Sequence, residues 1–224
     1  MGEPTKHMNE FPFRHFVYDQ FASETEVQRM GEEASRFSNW DGLRDHIGCS
    51  GKVYCATPNK FPPAIRSFIE RMMSPAMCQD FSMRTGIPNL RPDPYFEGGG
   101  IHRIKPGGWA RIHTDYTWHA SLQLWRRLNF LLYLNPDWQE EWQGHLELWS
   151  DKACEVRVTP KLNHAVLFET SDISFHGHPQ ALTCPADCNR NSIALYYFSD
   201  QPPAGVTEKR RGTRYLVDGI VVGV

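Results

Sequence analysis

Residues 127–135 read Arg-Leu-Asn-Phe-Leu-Leu-Tyr-Leu-Asn, a run whose side chains follow the two-residue period of a β-strand. One face of this predicted strand carries Leu128, Phe130, Leu132 and Leu134, and the other carries Arg127, Asn129, Leu131 and Tyr133. Further strand-like stretches lie at residues 109–115, 145–149, 154–159, 164–169, 173–177 and 190–199. Many short strands joined by loops predict a mainly β sandwich or barrel.

The sequence before residue 86 predicts helices instead. Ser23 and Glu26 form a capping-box pattern, in which each side chain satisfies a free backbone amide at the start of a helix. A second helix is predicted to begin at Pro62-Pro63, and a third at Ser74, with Gly86 just past its end. Residues 16–21 are a candidate strand. The glycines and prolines of residues 86–108 mark the change from helices to strands.

The length of 224 residues suits one domain. We therefore expect a single domain over residues 1–224, with mainly helical support at 1–85, a β core at 86–200 and a C-terminal extension at 201–224. The apolar stretch Leu216–Val224 in this extension fits either a last strand or an interface.

Charge and composition argue against several classes of partner. The net charge is −2, from 24 basic and 26 acidic residues, so we expect neither a nucleic-acid nor a membrane partner. The polar segment Met1–Glu10 predicts no signal peptide. The six cysteines are irregularly spaced, as in a cytoplasmic protein with reduced thiols. Cys184 and Cys188 lie near His176, but no second ligand pair repeats their spacing, which disfavours a zinc site.

A candidate metal site begins in the predicted strand at 109–115. Because side chains alternate along a strand, His113 and Asp115 lie on one face and can hold one ion from one side. His176, in a strand-like stretch far downstream, can complete the set. Two histidines and one carboxylate are the ligands of non-haem iron(II) oxygenases.

Arg190 and Ser192 share a face of the predicted strand at 190–199. A guanidinium that forks onto a carboxylate, with a hydroxyl beside it, can hold the far end of a dicarboxylic acid. Because this pair follows a candidate metal-binding histidine, we favour this role over a surface salt bridge.

A wider set of motifs follows one order along the chain: Gly98-Gly99-Gly100-Ile101-His102, Lys105-Pro106-Gly107-Gly108, His113-Thr114-Asp115, Arg127-Leu128-Asn129, Leu132-Tyr133-Leu134-Asn135, a strand from Gly144 to Trp149, Phe175-His176-Gly177 and Arg190-Asn191-Ser192. This order resembles the prolyl-4-hydroxylase-like branch of the 2-oxoglutarate- and Fe(II)-dependent oxygenases, over roughly residues 86–200. The resemblance implies a double-stranded β-helix core (a jelly roll, as in cupins) with flanking N-terminal helices. It also implies Fe(II) at the mouth of the barrel, with 2-oxoglutarate and O2 as cosubstrates.

The resemblance assigns roles to six residues. The metal ligands, and hence the catalytic residues, are His113, Asp115 and His176. The 2-oxoglutarate contacts are Arg190, for the C5 carboxylate, and the hydroxyl partners Ser192 and Tyr133. The sequence departs from the family pattern twice. A loop insertion must separate His176 from Arg190, and Lys105 stands where relatives often have a tyrosine near the cosubstrate.

Other ligand sets and functions compete with this interpretation. His178 is an alternative distal ligand, and His145 with Glu147 is an alternative His-x-acid pair. The expected function is hydroxylation of an unactivated C–H bond of an amino acid, a peptide or another small metabolite, with release of succinate and CO2. The rivals are a catalytically silent jelly-roll binding module and a cupin-type metalloenzyme independent of 2-oxoglutarate. The intact set of metal-ligand residues argues against the first rival, and Arg190 and Ser192 argue against the second.

Overall fold

The computed structural model describes residues 8–223. Within them lie three α-helices: α1 (Glu24–Arg36), α2 (Pro63–Met72) and α3 (Pro75–Thr85). The strands are β1 (His15–Tyr18), β2 (Gly42–His46), β3 (Cys49–Cys55), β4 (Arg91–Pro92), β5 (Gly100–Thr114), β6 (Trp118–His119), β7 (Leu124–Tyr133), β8 (Leu146–Trp149), β9 (Cys154–Val158), β10 (Ala165–Glu169), β11 (Phe175–His178), β12 (Arg190–Ser199), β13 (Arg214–Val217) and β14 (Ile220–Gly223). Most of Met1–Glu10, with the expectation about a signal peptide, lies outside the described residues, as does Val224. Within residues 8–223, none of the helices has the length and apolar character that crossing a membrane requires.

The predicted helix boundaries are confirmed. The Ser23 hydroxyl caps α1 by accepting from the Glu26 amide at 3.4 Å. Gly86 ends α3 in the left-handed conformation, at φ 73°. The second half of the capping box is wrong, because the Glu26 carboxylate instead accepts two hydrogen bonds from Arg71, at 2.6 and 2.9 Å. This bidentate pair ties α1 to α2.

The strands form the predicted jelly-roll core, a nearly closed antiparallel barrel. Its main path runs β1-β10-β7-β12-β5-β11-β8-β9. The long strand β5 joins the two halves of the barrel, because its first part pairs with β12 and its second part with β11. Residues 105–108, predicted as a turn, lie within β5, where Gly107 takes a positive φ of 79°. Gly108 is required there, since a Cβ at this position would lie 2.7 Å from the Ser50 carbonyl oxygen.

The two faces of β7 divide the core as the alternation predicts. Leu128, Phe130, Leu132 and Leu134 are buried against the helices, in one cluster with residues of α1, α2 and α3. The opposite face carries Asn129, Leu131 and Tyr133 into the barrel. The prediction for Arg127 is wrong. A β-bulge where β7 pairs with β12 turns Arg126 to the inner face in its place, and Arg127 donates to the Gln201 carbonyl.

Two hairpins frame the mouth of the barrel. The hairpin β2–β3 pairs with β5 along residues 101–110. It was not expected in the mainly helical region 1–85, because Gly-Leu-Arg-Asp-His lacks the apolar alternation of a half-buried strand. The apolar C-terminal stretch forms strands. β13 and β14 pair with each other as a hairpin, and β13 also pairs with Thr114 and His113 of β5.

Candidate metal centre

His113, Asp115 and His176 meet at the mouth of the barrel. His113 and His176 are direct neighbours on the paired strands β5 and β11, and their ring centroids lie 4.4 Å apart. Asp115 follows the end of β5. One potential ligand atom from each residue lies within 4.8 Å of the other two. The structure therefore brings together the three predicted ligands.

Backbone hydrogen bonds orient both imidazoles toward this point. The Nδ1–H group of His113 donates to the Arg111 carbonyl at 2.7 Å, and that of His176 donates to the Ser174 carbonyl at 2.9 Å. A carbonyl oxygen only accepts, so each Nε2 keeps its lone pair for a metal. Burial lowers the pKa of both rings, to about 4 for His176. Both are therefore neutral near pH 7, as a metal requires.

Asp115 is an ionised carboxylate held in place by two partners. The amide of Asn129 donates to Oδ2 at 2.7 Å, and Nη2 of Arg126 lies 3.1 Å from the same oxygen. Burial by itself would raise the pKa of Asp115, but the positive charge of Arg126, the two histidines (charged at the low pH where Asp115 titrates) and the hydrogen bond from Asn129 hold it well below its usual range. Two neutral imidazole nitrogens and one carboxylate oxygen fit Fe(II), which leaves the remaining coordination positions for substrates.

A cavity of about 100 Å³ extends from these ligands into the barrel. Arg190, Ser192 and Tyr133 line it together with the three candidate ligands. The buried Arg190 guanidinium donates to the Gly144 carbonyl at 2.7 Å and to the Tyr133 hydroxyl at 3.3 Å. Among the described residues no carboxylate lies within ion-pair distance of Arg190. An enclosed cation of this kind suits the carboxylate of a bound anion.

Comparison with known proteins identifies this arrangement. Residues 99–198, which include all six predicted site residues, match the model of the 2OG-Fe(II) oxygenase superfamily. The matched segment is a 2OG-Fe(II) oxygenase domain. No match to its sequence is found among curated proteins.

Solved structures share the fold of this oxygenase at low sequence identity. A prolyl-4-hydroxylase from Pseudomonas putida superposes with a TM-score of 0.63 and 16% identity, covering 86% of this chain and 93% of that one. The viral collagen prolyl hydroxylase of Paramecium Bursaria Chlorella virus-1 gives 0.53 and 14%, covering 83% and 96%. HygX from Streptomyces hygroscopicus gives 0.53 and 16%, covering 87% and 84%. These similarities show a common fold.

The alternative metal-binding residues either pair with other side chains or lie outside the set of converging ligand atoms. His145 pairs with Glu140 at 2.6 Å, and Glu147 accepts hydrogen bonds from Trp149 and Arg157. His178 lines the inner cavity, but it is not among the three residues whose ligand atoms converge. Its buried Nδ1 has no hydrogen-bond partner among residues 8–223.

The predicted loop insertion packs against β5 beside the cavity. Leu182 of this loop exchanges backbone hydrogen bonds with Gly107 and Gly108, at 2.9 and 3.0 Å. Its side chain packs against Trp138 and Cys184 beside Ile104. Cys184 and Cys188 are free thiols of this apolar contact, and neither belongs to a candidate metal-binding group in the described chain.

Two cationic residues of the site were missed by sequence reasoning. Arg126 reaches Asp115 only because of the bulge in β7, which no local pattern marks. Lys52, on the hairpin β2–β3, lines the cavity. Lys105, the lysine that the sequence singled out, is exposed on β5 and does not line this cavity. No local feature of the sequence distinguishes the lysine that lines the cavity from the exposed one.

Proposed function

We propose that this oxygenase is a hydroxylase that uses 2-oxoglutarate and O2 to oxidise an unactivated C–H bond of an amino acid, a peptide or another small metabolite. One oxygen atom of O2 enters the substrate as a hydroxyl group, and the other enters succinate as 2-oxoglutarate loses CO2. The observation that carries this proposal is that the three candidate ligands and Arg190 line one cavity.

Each residue has a defined part in this proposal. His113, Asp115 and His176 hold Fe(II), which together with 2-oxoglutarate and O2 supplies the oxidising chemistry when bound. Arg190 binds the far carboxylate of 2-oxoglutarate, with the Tyr133 hydroxyl beside it. Ser192, the direct neighbour of Tyr133 across the pair β12–β7, adds a second hydroxyl on the same inner face. The buried walls exclude water from the reacting groups.

The fold supports more than one kind of substrate. A prolyl hydroxylase from Trichoplax adhaerens with the same fold is in complex with a peptide fragment of the hypoxia inducible factor oxygen degradation domain. HygX, with the same fold, has hygromycin B bound. A fold shared by peptide and small-molecule complexes leaves the choice to the residues at the mouth of the cavity.

The test is reconstitution of the purified protein with Fe(II), 2-oxoglutarate and O2 against a panel of amino acids, peptides and small metabolites. We expect one class to stimulate succinate release and to gain one oxygen atom, traced with isotope-labelled O2. Absence of 2-oxoglutarate binding by the metal-loaded protein would instead support the silent binding module. Substrate oxidation that continues without 2-oxoglutarate would support the cupin-type enzyme.

A further inference from the structure

A second cavity, of about 150 Å³, lies outside the metal ligands. It shares Lys52, Ala110, His113, Asp115 and Tyr196 with the inner cavity, and the two hairpins supply most of the rest of its lining. Tyr215 of β13 forms one wall, with its ring centroid 5.8 Å from that of His113. This outer cavity is therefore where a substrate would face the metal.

The lining of the outer cavity has an excess of positive charge. Its cationic side chains are Arg44, Lys52 and Arg126, and its one carboxylate is Asp115. Arg126 is paired with Asp115. Within residues 8–223, no carboxylate lies within ion-pair distance of Arg44 or Lys52. Arg44 and Lys52 are therefore two cations at the mouth of the site without an ion-pair partner among these residues.

These two cations are direct neighbours. Arg44 of β2 and Lys52 of β3 occupy opposite positions in the register of the hairpin. Like charges directly opposite each other on paired strands destabilise a sheet. The Arg44 guanidinium is also positioned, with Cζ stacked 4.5 Å from the centre of the Tyr54 ring. The one acidic residue of the adjoining turn, Asp45, accepts instead from Ser50 and the Gly51 amide.

The repulsion between Arg44 and Lys52 also affects the pKa of Lys52. Burial, with the nearby charge of Arg44 second, lowers the pKa of Lys52 to about 8. A bound anion between the two side chains would relieve both the desolvation and the repulsion.

Binding of 2-oxoglutarate does not explain the presence of both Arg44 and Lys52 in the outer cavity. Under the proposed function, 2-oxoglutarate occupies the inner cavity, with its far carboxylate on Arg190. Lys52 lines both cavities, but Arg44 lines the outer one and not the inner one. A group that contacts Arg44 and Lys52 together must therefore enter from the substrate side.

We propose that the substrate of this oxygenase carries an anionic group, a carboxylate or a phosphate ester, that binds between Arg44 and Lys52. This inference rests on the proposed function, because it takes the outer cavity as the substrate site. It narrows the substrate class to acidic amino acids, peptides with an acidic side chain or terminus, and acidic metabolites.

The test uses acetate and inorganic phosphate as probes of the full chain loaded with Zn(II) and 2-oxoglutarate. Carbon-13 labelled lysine and arginine side chains report binding by nuclear magnetic resonance. We expect the signals of Arg44 and Lys52 to shift together and to saturate with one dissociation constant. Saturation by acetate points to a carboxylate, and saturation by phosphate alone points to a phosphate ester.

Variants connect this binding to the two side chains. Arg44→Gln and Lys52→Gln should each weaken binding of the probe about tenfold, because each removes one charge-assisted hydrogen bond. Lys52→Arg, which keeps the charge, should retain it. Lys105→Gln, on the exposed side of β5, is the matched control and should bind as the unmodified protein does. Unsaturable shifts, or equal binding by Lys52→Gln, would overturn the proposal.

Measurements of succinate release distinguish a failure of the anion site from a failure of the proposed hydroxylase function. Acidic compounds should stimulate succinate release at least tenfold more than their neutral amides, and Arg44→Gln should erase that preference. If amides and acids work equally well, the oxygenase assignment stands and the anionic substrate is wrong. If anions bind at Arg44 and Lys52 but no compound releases succinate, the proposed function fails and the anion site remains.

Discussion

The Arg126 guanidinium lies against Asp115, with Nη2 3.1 Å from Oδ2, and its Cζ lies 3.6 Å from the centre of the Tyr196 ring. Arg126 is buried, and the side chain of Asp115 is 13% exposed. The aromatic face and the carboxylate together hold the cation in place. Arg126 therefore compensates the charge of Asp115 in the metal-free protein, a task that it shares with the metal once an ion binds.

Arg126→Met should lower the free energy of unfolding of the metal-free protein by about 3–5 kcal/mol, because it leaves a buried carboxylate without its partner. A divalent ion then replaces the lost positive charge, so added metal should stabilise the variant more than the unmodified protein. Denaturant titrations with and without metal measure both effects. Arg127→Met is the matched control, with a smaller loss that metal does not change. An equal loss with and without metal would contradict this role of Arg126.

His176→Ala should abolish metal binding, and so should His113→Ala and Asp115→Ala, because each ligand supplies one of three bonds. His178→Ala should still bind one metal ion per chain, since His178 stands outside the converging set. Metal content after dialysis, measured by atomic emission, distinguishes the variants. Metal retained by His176→Ala and lost from His178→Ala would reverse the assignment of the distal ligand.

Arg190→Met should raise the dissociation constant of 2-oxoglutarate about tenfold to hundredfold, because a charged hydrogen bond contributes roughly 1.5–3 kcal/mol. Tyr133→Phe removes a neutral hydroxyl contact and should raise it about fivefold. Metal affinity should be unchanged in both. Calorimetry without oxygen gives both constants. A Lys105→Gln variant with the larger loss would show that the exposed lysine, and not Arg190, anchors the cosubstrate.

Asp41 makes the stability of the hairpin β2–β3 depend on pH. Burial by itself would raise the pKa of Asp41, but hydrogen bonds from Lys60, the Ala56 amide and Thr57 lower it to about 2, from an ordinary value of 3.8. Because the folded pKa is the lower one, the stabilisation is complete above about pH 4 and disappears as the pH falls toward 2.

Asp41→Asn should therefore lower the free energy of unfolding at pH 7 by about 2 kcal/mol, the value of a shift of this size. The difference between the two proteins should shrink below pH 4 and vanish near pH 2. Urea titrations across this range measure it. A difference that stays constant with pH would show that the carboxylate charge of Asp41 contributes nothing.

Local patterns in the sequence were enough to predict the helix caps at Ser23 and Gly86 and the two faces of the strand Leu128–Leu134. Each depends on backbone geometry within a few residues: a free amide at a helix end, or the alternation of side chains along a strand. The spacing of His113 and Asp115 belongs to the same class. Their convergence with His176 followed from the resemblance to a family, and the pairing of β5 with β11 shows its structural basis.

Partners that are distant in the sequence were decided by the tertiary structure alone. Glu26 binds Arg71 instead of closing its capping box, because α2 packs against α1. Arg126 replaces Arg127 in the site because the bulge beside Tyr197 and Phe198 shifts the alternation by one residue. The sequence around Lys52 and Lys105 does not show which of the two lysines faces the cavity. The pairing of β3 with β5 places Lys52 in the cavity wall and leaves Lys105 exposed. A strand's period shows which residues share a face, but the face that is buried depends on what packs against it.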